Sequence, residues 1–186
     1  QKNLAVNDQI INLPNRSDTI GMNILPVYSI ASHMDIDSRI IVAQIESFQT
    51  PIGRGEILKI QNITVINDSY NANLESARFG IQNLASFSAK GRKIAVIGDM
   101  LELGDREKEH HQILGKILSA KDVDAVFAYG ELTQYTIHAM NGTTIFHQFY
   151  DDKSTLLSDL KGFLQEGDVI YIKGSRGMRM EEILTG

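Results

Sequence analysis

The chain has 186 residues, 42% of them hydrophobic, enough for one ordinary domain plus a smaller piece with a core that needs no covalent staple. It contains no cysteine, which excludes disulfide frameworks, thiolate zinc sites and cysteine nucleophiles together. The net charge of -5, with Lys and Arg scattered, lacks the basic footprint of nucleic-acid binding, and no stretch approaches the ~20 apolar residues of a membrane span, so neither nucleic acid nor membrane insertion is expected.

The start, Gln1-Lys2-Asn3-Leu4-Ala5, has no long apolar run after its basic residue, and a cytoplasmic protein is expected. Residues 1–50 suggest a hairpin around Leu13-Pro14-Asn15-Arg16 and two amphipathic stretches, Ile24 to Met34 and Ser38 to Phe48. These elements are too few for a domain, so residues 1–50 are read as the C-terminal remnant of a preceding one. Pro51-Ile52-Gly53-Arg54-Gly55 interrupts both helical and strand periodicity and reads as a linker into a second domain, residues 51–186.

From about residue 63, short β-branched runs alternate with segments of helical period, the pattern of a parallel sheet with crossover helices. The expected strands are Ile63 to Asn67, Ile94 to Ile97, Ala125 to Tyr129, Thr144 to Phe146 and Val169 to Ile172, each nearly continuously apolar as a doubly covered strand should be. Helical stripes fall at Ala77, Ile81, Leu84 and Ala85, at Ile113, Leu114, Ile117 and Leu118, and at Leu156, Leu157, Leu160, Phe163 and Leu164. The fold class is therefore α/β, a Rossmann-like, mostly parallel sheet with flanking helices.

Ligands of open α/β sheets bind beyond the carboxyl ends of the strands. Three polar or glycine-rich loops are expected there: Asp68-Ser69-Tyr70-Asn71-Ala72-Asn73, Gly98-Asp99-Met100-Leu101-Glu102-Leu103-Gly104, and Lys173-Gly174-Ser175-Arg176-Gly177. Each has a structural alternative. Asn73 can cap the helix that follows, Asp68 and Asn71 can be turn residues, and Arg176 can pair with Glu181 or Glu182. What favours a ligand site is the coincidence of two cations, two Asp and two Asn on one edge.

Two signatures are missing. No Gly-x-Gly-x-x-Gly follows a strand, and no Gly-x-x-x-x-Gly-Lys-Ser/Thr occurs, so ATP phosphates would have to be cradled elsewhere. The five histidines, His33, His110, His111, His138 and His147, show no metal-ligand spacing, and no metal site is expected; His111 reads as a packing or capping residue.

In order and spacing, Gly53-Arg54, the Ser69-Tyr70-Asn71-Ala72-Asn73 string, the Gly98 to Gly104 loop, His111 four residues before Gly115, and Lys173-Gly174-Ser175-Arg176 with Met180-Glu181 resemble the Mur ligase family. The resemblance covers roughly residues 20 to 186, and its two middle strings look like the member that handles D-alanyl-D-alanine. Leu74 stands where the family usually has proline, and Met22-Asn23 where it commonly has His-Asn. The family has three domains, and this chain resembles the end of the central, ATP-binding one and the Rossmann-like C-terminal one.

That resemblance implies an ATP-dependent ligase that adds D-alanyl-D-alanine to UDP-N-acetylmuramoyl-tripeptide through an acyl phosphate, in peptidoglycan precursor synthesis. It implies ATP and Mg2+, bound mainly by a central domain, and it implies that this chain alone is inactive. Arg54, Asp68, Asn71 and Asn73 would face ATP; Asp99, Glu102, Lys173, Ser175 and Arg176 would receive the incoming amino compound. No residue is assigned to catalysis itself. Another amide ligase of the superfamily, of folylpolyglutamate synthase type, and a non-catalytic α/β ligand-binding module remain as alternatives.

Overall fold

The structure, a computed structural model, describes residues 3–6, 9–12, 18–49 and 51–185, with the backbone alone for 18–22. It divides into two compact units, Gln1–Pro51 and Ile52–Gly186.

In the first unit β1 (Asn3–Val6) and β2 (Gln9–Asn12) form an antiparallel ladder, followed by α1 (Asp18–His33) and α2 (Ser38–Ser47). The hairpin expected around Leu13 to Arg16 falls outside the described residues. Asp37 caps α2 by accepting the Arg39 N–H at 2.9 Å. Ile11, Ile24, Tyr28, Ile41 and Ile45 make a small core, while Val27, Ile30, Met34 and Ile40 stay exposed.

The second unit is a six-stranded sheet in the order β3-β4-β8-β5-β6-β7. Its strands are β3 (Glu56–Ile60), β4 (Ile63–Asp68), β5 (Lys93–Gly98), β6 (Ala125–Tyr129), β7 (Phe146–Tyr150) and β8 (Val169–Lys173). β3 pairs with β4 antiparallel, and every other neighbour pair is parallel. The helices are α3 (Leu74–Ser86), α4 (Glu107–Ser119), α5 (Thr133–Ala139) and α6 (Lys153–Phe163).

Burial follows strand alternation. Ile66, Ala95, Ile97, Val126, Val169 and Tyr171 pack with Ala77, Ile81 and Leu84 of α3 and Leu114 and Leu118 of α4. On the opposite face Val65, Ile94, Val96, Phe127, Ile170 and Ile172 pack with Leu156 and Leu160 of α6. Met180 and Ile183, from the last short helical turn, join that second cluster.

Two expectations about strands need correction. The run Thr144 to Phe146 is not the strand; the strand is Phe146–Tyr150, in register with Ala125–Tyr129. As an edge strand it keeps Gln148 and Phe149 exposed, so its mixed pattern hides it from a search for continuous apolar runs. β3, another edge strand, follows the Pro51 to Gly55 stretch directly and escapes the same search. Asp68 and Lys173 are the last residues of β4 and β8, inside the ladder rather than in the loops beyond it.

Candidate functional site

β8 lies between β4 and β5. The chain leaves β4 and β5 toward α3 and α4 on one face, and leaves β8 toward Met180 and Ile183 on the other. Connections that diverge to opposite faces open a crevice at the carboxyl ends of these strands, a topological switch point. Gly98 and Gly174 meet at its floor: a Cβ on Gly174 would lie 3.1 Å from the Gly98 Cα, so the two backbones touch and Met180 fills the space behind.

Register pairs Asp68 with Lys173. Lys173 is buried, and its ammonium donates to Asp68 Oδ2 at 2.7 Å and to the Asn71 carbonyl at 3.0 Å. The Tyr171 hydroxyl donates to the same Oδ2 at 3.0 Å. Burial, reinforced by the neighbouring Asp68 carboxylate, pushes the Tyr171 phenol well above its ordinary value, which keeps it a neutral donor. Among the described residues no donor reaches Asp68 Oδ1, and the Asp68 side chain is 24% exposed.

The other expected ligands divide into buried and exposed groups. Ser175 is buried and ties the three loops together: its amide donates to the Asp99 carbonyl at 2.9 Å, and its Oγ accepts the Leu101 N–H at 2.8 Å and points its own O–H at the Ala72 carbonyl, 3.4 Å away. Asp99 is buried too, and its Oδ1 accepts the Thr133 N–H at 2.8 Å at the start of α5. Burial raises its carboxyl above the ordinary value despite that amide donor.

Asn73 is the N-cap of α3 in a reciprocal capping box with Ser76, the structural alternative foreseen for it. The Asn71 side chain is exposed and accepts the Ala72 N–H at 2.9 Å. Glu102 is exposed with φ of 63°, a left-handed backbone in the loop beyond β5.

The exposed cations converge on a residue that sequence reasoning passed over. The Tyr70 N–H donates to the Gly53 carbonyl at 2.9 Å, which brings Arg54 across the Tyr70 ring with its guanidinium carbon 4.0 Å from the centroid. The Arg176 guanidinium carbon lies 5.8 Å from the same centroid, and Tyr70 is 44% exposed. Arg176 also pairs with Glu181 at 3.1 Å, a solvent-screened surface contact.

His111 is fully buried, and its role is local. Its Nε2 accepts the Met100 N–H at 3.0 Å, which leaves the proton on Nδ1, 2.7 Å from the Glu107 carbonyl. Burial lowers its imidazole below the ordinary value, so the ring is neutral and pins the loop beyond β5 to α4.

Residues 53–176 match the family model described as Mur ligase, glutamate ligase domain. The UDP-N-acetylmuramoyl-tripeptide--D-alanyl-D-alanine ligase of Bacillus subtilis (strain 168) is 38% identical over 136 residues, 70% of this chain and 29% of that protein. The ligase of the same name from Escherichia coli (strain K12) is 34% identical over 135 residues, 70% of this chain and 28% of that protein. Among solved structures, MurF ligase from Thermotoga maritima in complex with ADP is similar with a TM-score of 0.71 at 27% identity, over 84% of this chain and 35% of that one. A crystal structure of MurF from Acinetobacter baumannii has a TM-score of 0.86 at 24% identity, over 95% of this chain and 39% of that one, which speaks for the fold. The chain thus spans less than a third of the length of these two curated relatives.

Proposed function

Because the chain belongs to the Mur ligase family, we propose that its crevice is the nucleotide- and amine-receiving half of an ATP-dependent ligase that adds D-alanyl-D-alanine to UDP-N-acetylmuramoyl-tripeptide. One observation carries this reading: a half-occupied carboxylate, Asp68, and two exposed cations, Arg54 and Arg176, gathered around Tyr70, all meet at the sheet's switch point.

The chemistry fits those groups. ATP supplies the phosphoryl group that turns the tripeptide carboxylate into an acyl phosphate; the dipeptide amine then attacks the acyl carbon, and phosphate leaves. Negative charge gathers at the reacting centre, so fixed cations and N–H dipoles lower the barrier. Arg54 is assigned to the ATP phosphates and Asp68, through Oδ1, to ribose hydroxyls, with exposed Asn71 beside them. Asn73 serves this edge by starting α3. Arg176 is assigned to the dipeptide carboxylate, which its planar fork grips through two parallel bonds, and Glu102 stands in the exposed loop beyond β5. Lys173, Ser175 and Asp99 act beneath them by holding the loops in place.

Among the described residues no three His, Asp or Glu side chains converge, and the ligands of Mg2+, an ion commonly held by one or two carboxylates together with substrate phosphates, are assigned to the portion of the longer relatives that this chain does not span. The exposed apolar residues Val27, Ile30, Met34 and Ile40 suit the same picture, with residues 1–50 as the end of a central domain and 51–186 as the C-terminal one. Among the described residues no helix is long and apolar enough to cross a membrane, and a cytoplasmic site fits the supply of ATP and of a UDP-linked substrate.

The test is phosphate release by the full-length protein with ATP and the UDP-tripeptide. Turnover should require D-alanyl-D-alanine, and glutamate should not replace it. Arg176→Ala should raise the KM for the dipeptide roughly ten- to a hundredfold and leave that for ATP nearly unchanged. Turnover with glutamate in place of the dipeptide, or wild-type dipeptide kinetics in the variant, would contradict the assignment.

A further inference from the structure

Tyr171 and Lys173 are alternate residues of β8 and share the face that α3 covers, the face on which Asp68 follows Ile66 on β4. Both donate to one oxygen of Asp68, Oδ2. A carboxylate with one oxygen doubly bonded from below loses its rotational freedom, and its other oxygen keeps a single direction. Tyr171 is 1% exposed, so no ligand reaches it directly.

The hydroxyl arrives there because α3 has a notch. Gly80 sits where the Tyr171 ring end passes, and a Cβ at that position would overlap both the hydroxyl and the carbon that bears it. Both are backed by the core, so neither can move aside without carrying the hydroxyl off Asp68. Glycine within a helix costs about 1 kcal/mol relative to alanine, and here it makes room for one specific hydrogen bond.

We propose that Tyr171, seated in the Gly80 notch, is a positioning residue for nucleotide binding: with Lys173 it fixes the Asp68 carboxylate so that Oδ1 is preset to accept hydroxyl groups of the ligand. Lys173 supplies the charge, and Tyr171 supplies the second point that sets direction. This inference rests on the assignment of Asp68 to the nucleotide.

A double-mutant cycle in the full-length protein tests it, with ADP as the probe and its Kd read by calorimetry. Tyr171→Phe keeps the ring and its packing and removes the hydroxyl alone. It should weaken ADP binding about three- to tenfold, Asp68→Asn should weaken it more, and the double variant should bind no more weakly than Asp68→Asn, since the hydroxyl acts only through the carboxylate. Gly80→Ala, which displaces the same hydroxyl without touching it chemically, should reproduce the Tyr171→Phe loss. If Asp68→Asn weakens binding but Tyr171→Phe does not, or if the two losses add, the positioning role is wrong while the nucleotide assignment stands. Wild-type ADP affinity in Asp68→Asn would overturn both.

Discussion

Strand β8 carries an ion pair at each end, and the two differ in how fully their acids are used. Before its first residue, Asp168 is 1% exposed and accepts from the Arg92 amide at 2.8 Å, the Arg92 guanidinium at 2.7 Å and the Gln165 amide at 2.9 Å. At its last residue, Lys173 meets an Asp68 that is 24% exposed and, among the described residues, accepts only at one oxygen. The saturated pair closes the amino ends of β5 and β8. The half-used pair stands at the crevice with an acceptor to spare. On the proposed assignment, what distinguishes the crevice pair is the capacity it leaves open rather than its charge.

Substitutions at the two ends should separate these roles. Asp168→Asn strips the charge partner from a partly buried Arg92 and should cost about 3 kcal/mol, a Tm lower by roughly 10 °C. Lys173→Met should cost less, about 2 kcal/mol, because water can reach the abandoned Asp68. Thermal unfolding followed by circular dichroism reads both. An order reversed between the two variants would mean that Asp68 is the more deeply committed acid.

A smaller effect lies in pH. Burial depresses the His111 imidazole from its ordinary 6.5, so between the two values the unfolded chain binds more protons than the folded one. The stability due to neutral His111 is complete above about 6.5 and is lost as pH falls toward the folded value. Asp99, raised from 3.8 by burial, works the opposite way in a lower window, gaining stability as it protonates. The urea midpoint should therefore fall between about pH 7.5 and about pH 5.5, and His111→Gln should flatten that slope. An unchanged slope in the variant would place the titrating group elsewhere.

The doubly covered part of the fold was legible from residues because a strand buried on both faces must be apolar throughout, as Ile94–Ile97 and Val169–Ile172 are. The edge strands β3 and β7 were not, since one neighbour and one wet flank permit Glu56, Lys59 and Gln148. At the crevice, loop composition pointed to one edge of the sheet but could not rank its members. Ser175 and Arg176 are adjacent in sequence; one is locked among three loops and the other is two-thirds exposed. Tyr171 carried no signal of its own, and Tyr70 stood out only as part of the Ser69 to Asn73 string. An aromatic beside a polar string, or inside a strand, reads as ordinary packing until a guanidinium or a carboxylate is found against it.

The contrast between the two ends of β8 is tested most directly by the same acid-to-amide change at each, with ADP affinity measured in the full-length protein. Asp68→Asn should weaken ADP binding roughly tenfold or more, as the loss of hydrogen bonds to a charged acceptor implies. Asp168→Asn should lower Tm and leave the Kd of the folded protein unchanged. Equal affinity in wild type and Asp68→Asn, or a loss in Asp168→Asn as large as in Asp68→Asn, would contradict the account and make the crevice pair another structural clamp.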